Sequence, residues 1–488
     1  MSIESLLLAL SWAANRPVLR GSDASLNGKQ LLQQLEQAQQ MLANLRARRV
    51  ALALDNSAAW CLHDLALAAS GLVCVPVPGF FSAGRQRHVL DSAGIDTLIG
   101  HQLQPGVLEQ AGFVPVRSGI YQRTLPQSQA LHAGTAKITY TSGTTGQPKG
   151  VCLSLETQLT VADSLRQVTA GLQLQRHLCL LPLATLLENI AGVYAQWLQG
   201  AEVIVPSLPE IGWSGAAGLD VSRLLALLQR EQPHSVILLP QLLLALVQAA
   251  EQGWQPPSSL RMLAVGGGFV SAQLLQRAER LGLPVWEGYG LSECASVVCL
   301  NTPQARRIGS VGQPLPHARV CLAEDGELLV QGPRMLGYLG EAPLQGNWLH
   351  TGDLAREQDG FILLQGRKKH MFVTAYGRNV HPEWVEAELT QQPAIAQAWL
   401  HGEARASNVA VLVPRGTAGD ADLQAAVDVV NASLPDYARV HQWLRAEAPF
   451  SATAGLLTDN GRLRRTALLQ HFAPALSALD AVSSPTPV

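Results

Sequence analysis

The stretch Ile138-Thr-Tyr-Thr-Ser-Gly-Thr-Thr-Gly-Gln-Pro-Lys-Gly-Val151 follows a β-branched run with four hydroxyl residues, three glycines and one lysine within ten positions. Glycines let a backbone close on an anion, and the hydroxyls of Thr141, Ser142, Thr144 and Thr145 can donate to one. Gly143 and Gly146 supply the close approach, and Lys149 adds a mobile point charge suited to a triphosphate. The spacing is not the Gly-x-x-x-x-Gly-Lys-Ser/Thr of a Walker loop. The stretch therefore reads as a phosphate-binding loop of a different build.

Outward from this loop, short β-rich runs alternate with apolar or amphipathic helices. Residues 49–54, 73–77 and 97–99 read as strands, with helices over 60–69 and 85–92 between them. The same rhythm continues as strand 178–183 with helix 186–198, and strand 262–265 with helix 271–281. Such alternation predicts an α/β fold, a large domain of parallel-rich sheets flanked by helices. From Ala318 the pattern changes to short strands and turns, and beyond Gly366 it becomes a compact α+β segment. The expected division is a large domain over 1–366, a small C-terminal domain over 367–475, and a flexible tail over 476–488.

Composition narrows the function. Lys plus Arg is 35 against 37 for Asp plus Glu, a balance unlike that of a nucleic-acid binder. Charged residues are 15% and hydrophobics 47%, enough for an extensive core and too apolar for disorder. The seven cysteines include no CxxC pair, so neither a zinc site nor a disulfide framework is expected, and a reducing cytoplasmic setting is. The N-terminal run reads as a capped helix, not a signal peptide, because Glu4 precedes its apolar residues. The uncharged stretch 232–250 contains Pro233, His234, Pro240, Gln241 and Gln248, and is read as a strand entering a core helix. No membrane span is expected.

Further motifs follow in a fixed order: Glu287-Gly-Tyr-Gly-Leu-Ser-Glu293, Gly309-Ser-Val-Gly-Gln-Pro314, Trp348-Leu-His-Thr-Gly-Asp353, Gly366-Arg-Lys-Lys369 and Tyr376-Gly-Arg-Asn-Val380. Together with the loop at 138–151, they resemble the adenylate-forming superfamily of acyl-CoA synthetases, peptide-synthetase adenylation domains and luciferases. The matches run from about residue 138 to 465; residues 1–130 follow by position alone. The resemblance implies ATP and Mg²⁺, with coenzyme A or the phosphopantetheine arm of a carrier protein as acceptor, and a small domain that moves.

The roles follow position by position. Tyr289, within Glu287-Gly288-Tyr289, offers a flat face for adenine. Ser292 stands where the family usually has Thr, and Glu293 is a hard oxygen ligand for Mg²⁺. Gly267, in the run Gly266–Gly268, lets nucleotide approach the backbone, and Asp353 would accept from the ribose hydroxyls. Arg367 would grip ribose or phosphate, and Lys369 falls at the family's hinge. Gly377 and Arg378 match the loop that turns toward the acceptor thiol. His370, where an acidic residue often stands, reads as a surface histidine.

The C-terminal motif departs from the family. In Gly455-Leu-Leu-Thr-Asp-Asn-Gly-Arg-Leu-Arg-Arg465, Arg462 occupies the place of the lysine that bridges carboxylate and α-phosphate. Arginine keeps the charge and can clamp two oxygens. The segment 181–194 is similar to that of long-chain fatty acyl synthetases, and no aspartate between 181 and 200 could pair a substrate ammonium. The expected activity is formation of an acyl-adenylate from an apolar carboxylic acid, a fatty acid by this resemblance, with Lys149, Glu293 and Arg462 catalytic, then transfer to a thiol, that of coenzyme A. The alternatives are a ligase that loads a carrier protein and an impaired nucleotide-binding homologue. A nucleophile elbow fails because Cys294 stands where glycine is needed.

Overall fold

The computed structural model describes residues 1–125, 130–141, 148–214, 218–459 and 461–483. Two large sheets organise the first two-thirds of the chain. One has eight strands, with Arg49–Ala53, Val73–Pro76 and Thr97–Gly100 parallel at its centre. These strands are apolar on both faces because helices cover both sides. The second sheet has nine strands, with Arg176–Leu178, Ser235–Leu238, Met262–Val265 and Val285–Leu291 parallel and adjacent.

Local chemistry starts and stops the helices. Ser57 accepts from Trp60 N at 3.1 Å to begin Ala58–Ala69, and Asp220 accepts from Arg223 N at 3.2 Å to begin Val221–Glu231. Leu224, Leu227 and Leu228 then form the buried stripe of that helix. Four antiparallel strands between Arg319 and Arg367 follow. The small domain holds a three-stranded sheet, Ile395–His401, Asn408–Pro414 and Val440–Arg445, covered by Pro382–Thr390, Asp420–Ser433 and Arg465–Ser483. It has its own apolar clusters. No described helix is long and apolar enough to cross a membrane.

Three expectations need correction. The strand expected over 178–183 ends at Leu178. Leu180 and Leu181 donate to the Glu188 carboxylate at 3.2 and 2.8 Å instead of to a neighbouring strand. The helix expected over 186–198 is a π-helix, Leu187–Tyr194, running into a short α-helix, Ala195–Leu198. Gly192 in it has no side chain, and a Cβ there would collide with the Glu188–His177 pair. The expected tail from 476 is instead helical to Ser483, because Leu476 packs against the same cluster as Phe450 and Leu468. Residues 484–488 lie outside the described residues.

The two domains meet through specific contacts. Ser271 Oγ donates to Glu388 Oε1 at 2.7 Å in a buried position. Asp459 of the C-terminal segment accepts from Ser82 N and pairs with Arg85, both at 3.1 Å.

Candidate active site

A cavity of about 1800 Å³ opens between the two domains and reaches into the large one. Its mouth is built by strand ends. The hairpin Thr135–Tyr140 and Gly150–Ser154 carries the phosphate-loop sequence at its tip, closed by Thr141 N donating to Lys149 O at 3.1 Å. Ser142, Gly143, Thr144, Thr145 and Gly146 lie outside the described residues. Gly267, beyond the strand Met262–Val265, adopts φ +78° and lines the cavity.

The strand Val285–Leu291 brings Gly288 and Tyr289 to the cavity, and the turn after it brings Ser292 and Glu293. Tyr289 OH donates to Asp353 Oδ2 at 2.7 Å, and Arg367 Nε meets Asp353 Oδ1 at 2.7 Å. Arg367 also donates to Thr351 O at 3.2 Å. Burial pushes Asp353 above the ordinary carboxylate range against the pull of Arg367 and Tyr289. Burial likewise raises the Tyr289 phenol, with the Asp353 charge adding to it.

Glu293 Oε1 accepts from Tyr338 OH at 2.8 Å. The carboxylate and phenol oxygens together fit a hard cation such as Mg²⁺. Lys149 lies 4.9 Å above the Tyr338 ring and pairs with Glu341 at 2.7 Å. Tyr338 thus links the phosphate-loop lysine to the acidic turn, a connection with no motif in the sequence.

Arg462 enters from the small domain on a narrow turn, where Thr458 N donates to Arg462 O at 2.8 Å. Its side chain lines the cavity and is open to the solvent that fills it. Burial and neighbouring Arg367 lower its pKa, while Asp353 and Glu293 oppose them. Lys369 lines the same cavity, its pKa lowered by burial and by Arg367 and Arg462. Lys149, Arg367, Lys369 and Arg462 thus line one space with Glu293 and Asp353, a setting for a polyanion accompanied by a cation.

Other expected residues lie elsewhere. Glu287 does not line this cavity. It faces a small pocket with Leu275, Asn301, Arg306 and Arg307, deeper along the same strand. Its carboxyl is pushed well upward by burial. Gly377 and Arg378 sit on the outer hairpin of the small domain, beside Tyr376, which is 76% exposed. His370 is not a solvated surface group: its Nδ1 meets Glu383 Oε1, and both line the cavity.

The cavity is also lined by Leu187 and Ala191 of the π-helix and by Leu239, Leu244 and Met262. Near it lies the other candidate metal cluster among the described residues, His177, Cys179 and Glu188. His177 Nε2 bonds Glu188 and Nδ1 bonds Ser235, each at 2.9 Å, so both ring nitrogens are committed within the protein.

Comparison with known proteins agrees with this geometry. Residues 9–339 match the AMP-binding enzyme family, and residues 369–481 match the AMP-binding enzyme C-terminal domain. The long-chain-fatty-acid–CoA ligase FadD15 of Mycobacterium bovis is 26% identical over 86% of each chain. The 2-succinylbenzoate–CoA ligase of Bacillus subtilis is 28% identical over 55% of this chain and 56% of that protein. Among solved structures, the anthranilate CoA ligase AuaEII in complex with anthranoyl-AMP superposes with a TM-score of 0.78 at 20% identity, covering 97% of this chain and 98% of that one. The o-succinylbenzoate CoA synthetase of Bacillus subtilis with its acyl-adenylate intermediate gives 0.76 at 22% identity, covering 95% and 97%.

Proposed function

The chain belongs to the AMP-binding enzyme family, and on that premise we propose that it works as an AMP-forming acid–CoA ligase for an apolar carboxylic acid. The observation that carries this reading is the convergence of Arg462 from the small domain on the cavity that holds Lys149, Glu293, Asp353 and Arg367. The acid's hydrocarbon part packs against the cavity-lining Leu187, Ala191, Leu244 and Met262, whose apolar side chains suit a fatty acid better than a dianion.

In the first half-reaction the carboxylate attacks the α-phosphate of ATP, giving acyl-adenylate and pyrophosphate. Lys149, with Thr141 and the loop over 142–146, holds the departing phosphates. Arg462 bridges the carboxylate and the α-phosphate, and Asp353 with Arg367 fixes the ribose. Glu293 would hold Mg²⁺, which when bound neutralises phosphate charge. Tyr289 supports the adenine and Gly267 and Gly288 admit it, with Ser292 beside them. Glu287 lies outside this cavity and contributes only as part of the strand that carries Gly288 and Tyr289.

In the second half-reaction a thiol displaces AMP. Gly377 and Arg378 reach it only if the small domain turns, because they now sit on its outer face; Lys369 is the proposed pivot. The acceptor is coenzyme A, with a carrier-protein arm as the second reading, favoured only by the exposure of that hairpin. The seven cysteines are unpaired and six are buried, which supports a reducing cytoplasmic setting.

ATP–pyrophosphate exchange across fatty, aryl and amino acids tests the reading. Exchange with an apolar acid is expected, and Glu293→Gln should abolish it without lowering the melting temperature. ATP binding without exchange for any acid would identify an impaired nucleotide-binding homologue instead.

A further inference from the structure

The turn that carries Arg462 is fastened to the large domain by a carboxylate of its own. Thr458 N donates to Arg462 O at 2.8 Å, Arg462 N donates back to Thr458 Oγ1 at 3.0 Å, and Leu457 bridges to Leu463. Asp459 lies inside this closed turn, three residues before Arg462. Its Oδ2 accepts from Ser82 N and pairs with Arg85, each at 3.1 Å. Ser82 is the N-cap of the helix Ala83–Ser92, and its own side chain makes no capping bond. A carboxylate from the other domain thus takes that place at the positive end of the helix. The pair is largely shielded, with Asp459 12% and Arg85 19% exposed, so it holds more firmly than a solvated ion pair.

The same helix braces the phosphate loop at both ends. His88 Nε2 bonds Pro148 O at 3.1 Å, just before Lys149, and Ser92 Oγ meets Tyr140 OH at 2.6 Å, just before Thr141. Arg85, His88 and Ser92 recur at spacings of three and four, which puts them on one helix face. One element therefore sets the Arg462 turn against the loop that holds the phosphates. The interdomain bond from Ser271 to Glu388 fastens the helix Pro382–Thr390 and not this turn.

Resting on the ligase reading above, we propose that Asp459 is a positioning residue for adenylation, latching onto Ser82 and Arg85 to hold Arg462 at the α-phosphate and releasing before the thiol step. A loosened turn samples positions in which the guanidinium misses the phosphate, so breaking the latch slows the first half-reaction. The second half-reaction begins only when the small domain has turned and the latch is already open, so it does not depend on the contact.

The test separates the half-reactions in Asp459→Ala, Arg85→Gln and the double variant. Pyrophosphate exchange, with dodecanoate or the acid that replaces it in the exchange screen, should fall about tenfold in Asp459→Ala. The loss should be smaller in Arg85→Gln, which keeps the Ser82 bond, and the double variant should be no slower than Asp459→Ala alone. Thioester formation from the matching acyl-adenylate and coenzyme A should hold or rise in all three. Asp459 lines the cavity and Arg85 does not, so Arg85→Gln cannot act through a lost ligand contact. Tryptic cleavage between Arg367 and Lys369 in the ligand-free protein should quicken as the small domain swings free. Parent-rate exchange, additive losses, or an equal loss of both half-reactions overturns the proposal. A parent that exchanges with no acid refutes the ligase reading itself. Trypsin still decides in that case, and unchanged cleavage in Asp459→Ala overturns the latch.

Discussion

Two aspartates in this molecule each bond a tyrosine and a cation, yet they do different work. Asp64, in the core of the large domain, accepts from Tyr194 OH at 2.8 Å, Asn189 Nδ2 at 2.9 Å and Lys137 Nζ at 2.8 Å. Lys137 and Asp64 are 3% and 1% exposed. Burial alone would raise the Asp64 pKa, but Lys137 and the hydrogen bonds outweigh it and leave the carboxyl below its usual range. Asp353, in the interdomain cavity, accepts from Tyr289 and pairs with the half-open Arg367, and its pKa is raised. The difference lies in completeness. A closed set of donors holds three elements together, whereas an incompletely compensated carboxyl in a cavity gains from donors that a ligand brings.

The largest effect should come from opening the closed set. Lys137→Ala leaves Asp64 as a buried charge without its cation and should cost about 3–5 kcal/mol of stability in urea denaturation. A variant of near-parent stability with lost exchange would erase the contrast, making the core set functional.

The cavity set should respond in rate rather than in stability. Arg462→Ala removes a charge needed most as the α-phosphate is attacked. It should slow exchange by roughly 10²–10³, equivalent to about 2.7–4 kcal/mol, while the melting temperature holds. Arg462→Lys should retain substantial activity. Parent-like exchange in Arg462→Ala would make Arg462 a surface arginine.

The smallest effect separates the two regions by pH. Burial lowers His63, next to Asp64 in sequence, and His317 from 6.5 to about 4. The unfolded chain then binds protons that the folded chain refuses. Stability should therefore fall as pH drops from 6.5 toward 4, by up to about 3 kcal/mol for His63. Denaturation midpoints across that range should fall, and His63→Asn should flatten the slope. A slope unchanged in His63→Asn would place the acid sensitivity elsewhere.

Much of the fold was legible because local chemistry and tertiary context agree. Met262–Val265 is a strand at the expected bounds, and Ala58–Ala69 begins at a serine cap. Lys149, Tyr289, Glu293, Asp353, Arg367 and Arg462 are gathered around one cavity, although up to 313 positions separate Lys149 from Arg462 (462 − 149). Where context overrode pattern, the reading failed. The apolar run after Leu178 looked like strand, but the Glu188 carboxylate captured its amides. Glu287 looked like part of the site, but its carboxyl lies too deep along its strand.

The sequence by itself determined the alternating elements, the phosphate-loop composition and the order of the motifs, because these depend on residue type and spacing along the chain. Only the tertiary structure decided that Tyr338 joins Lys149 to Glu293, that His370 pairs with Glu383, and that Glu287 faces a separate pocket with one carboxylate oxygen unbonded among the described residues. Each of these depends on which distant backbones approach, and on which polar atoms that approach leaves without a partner.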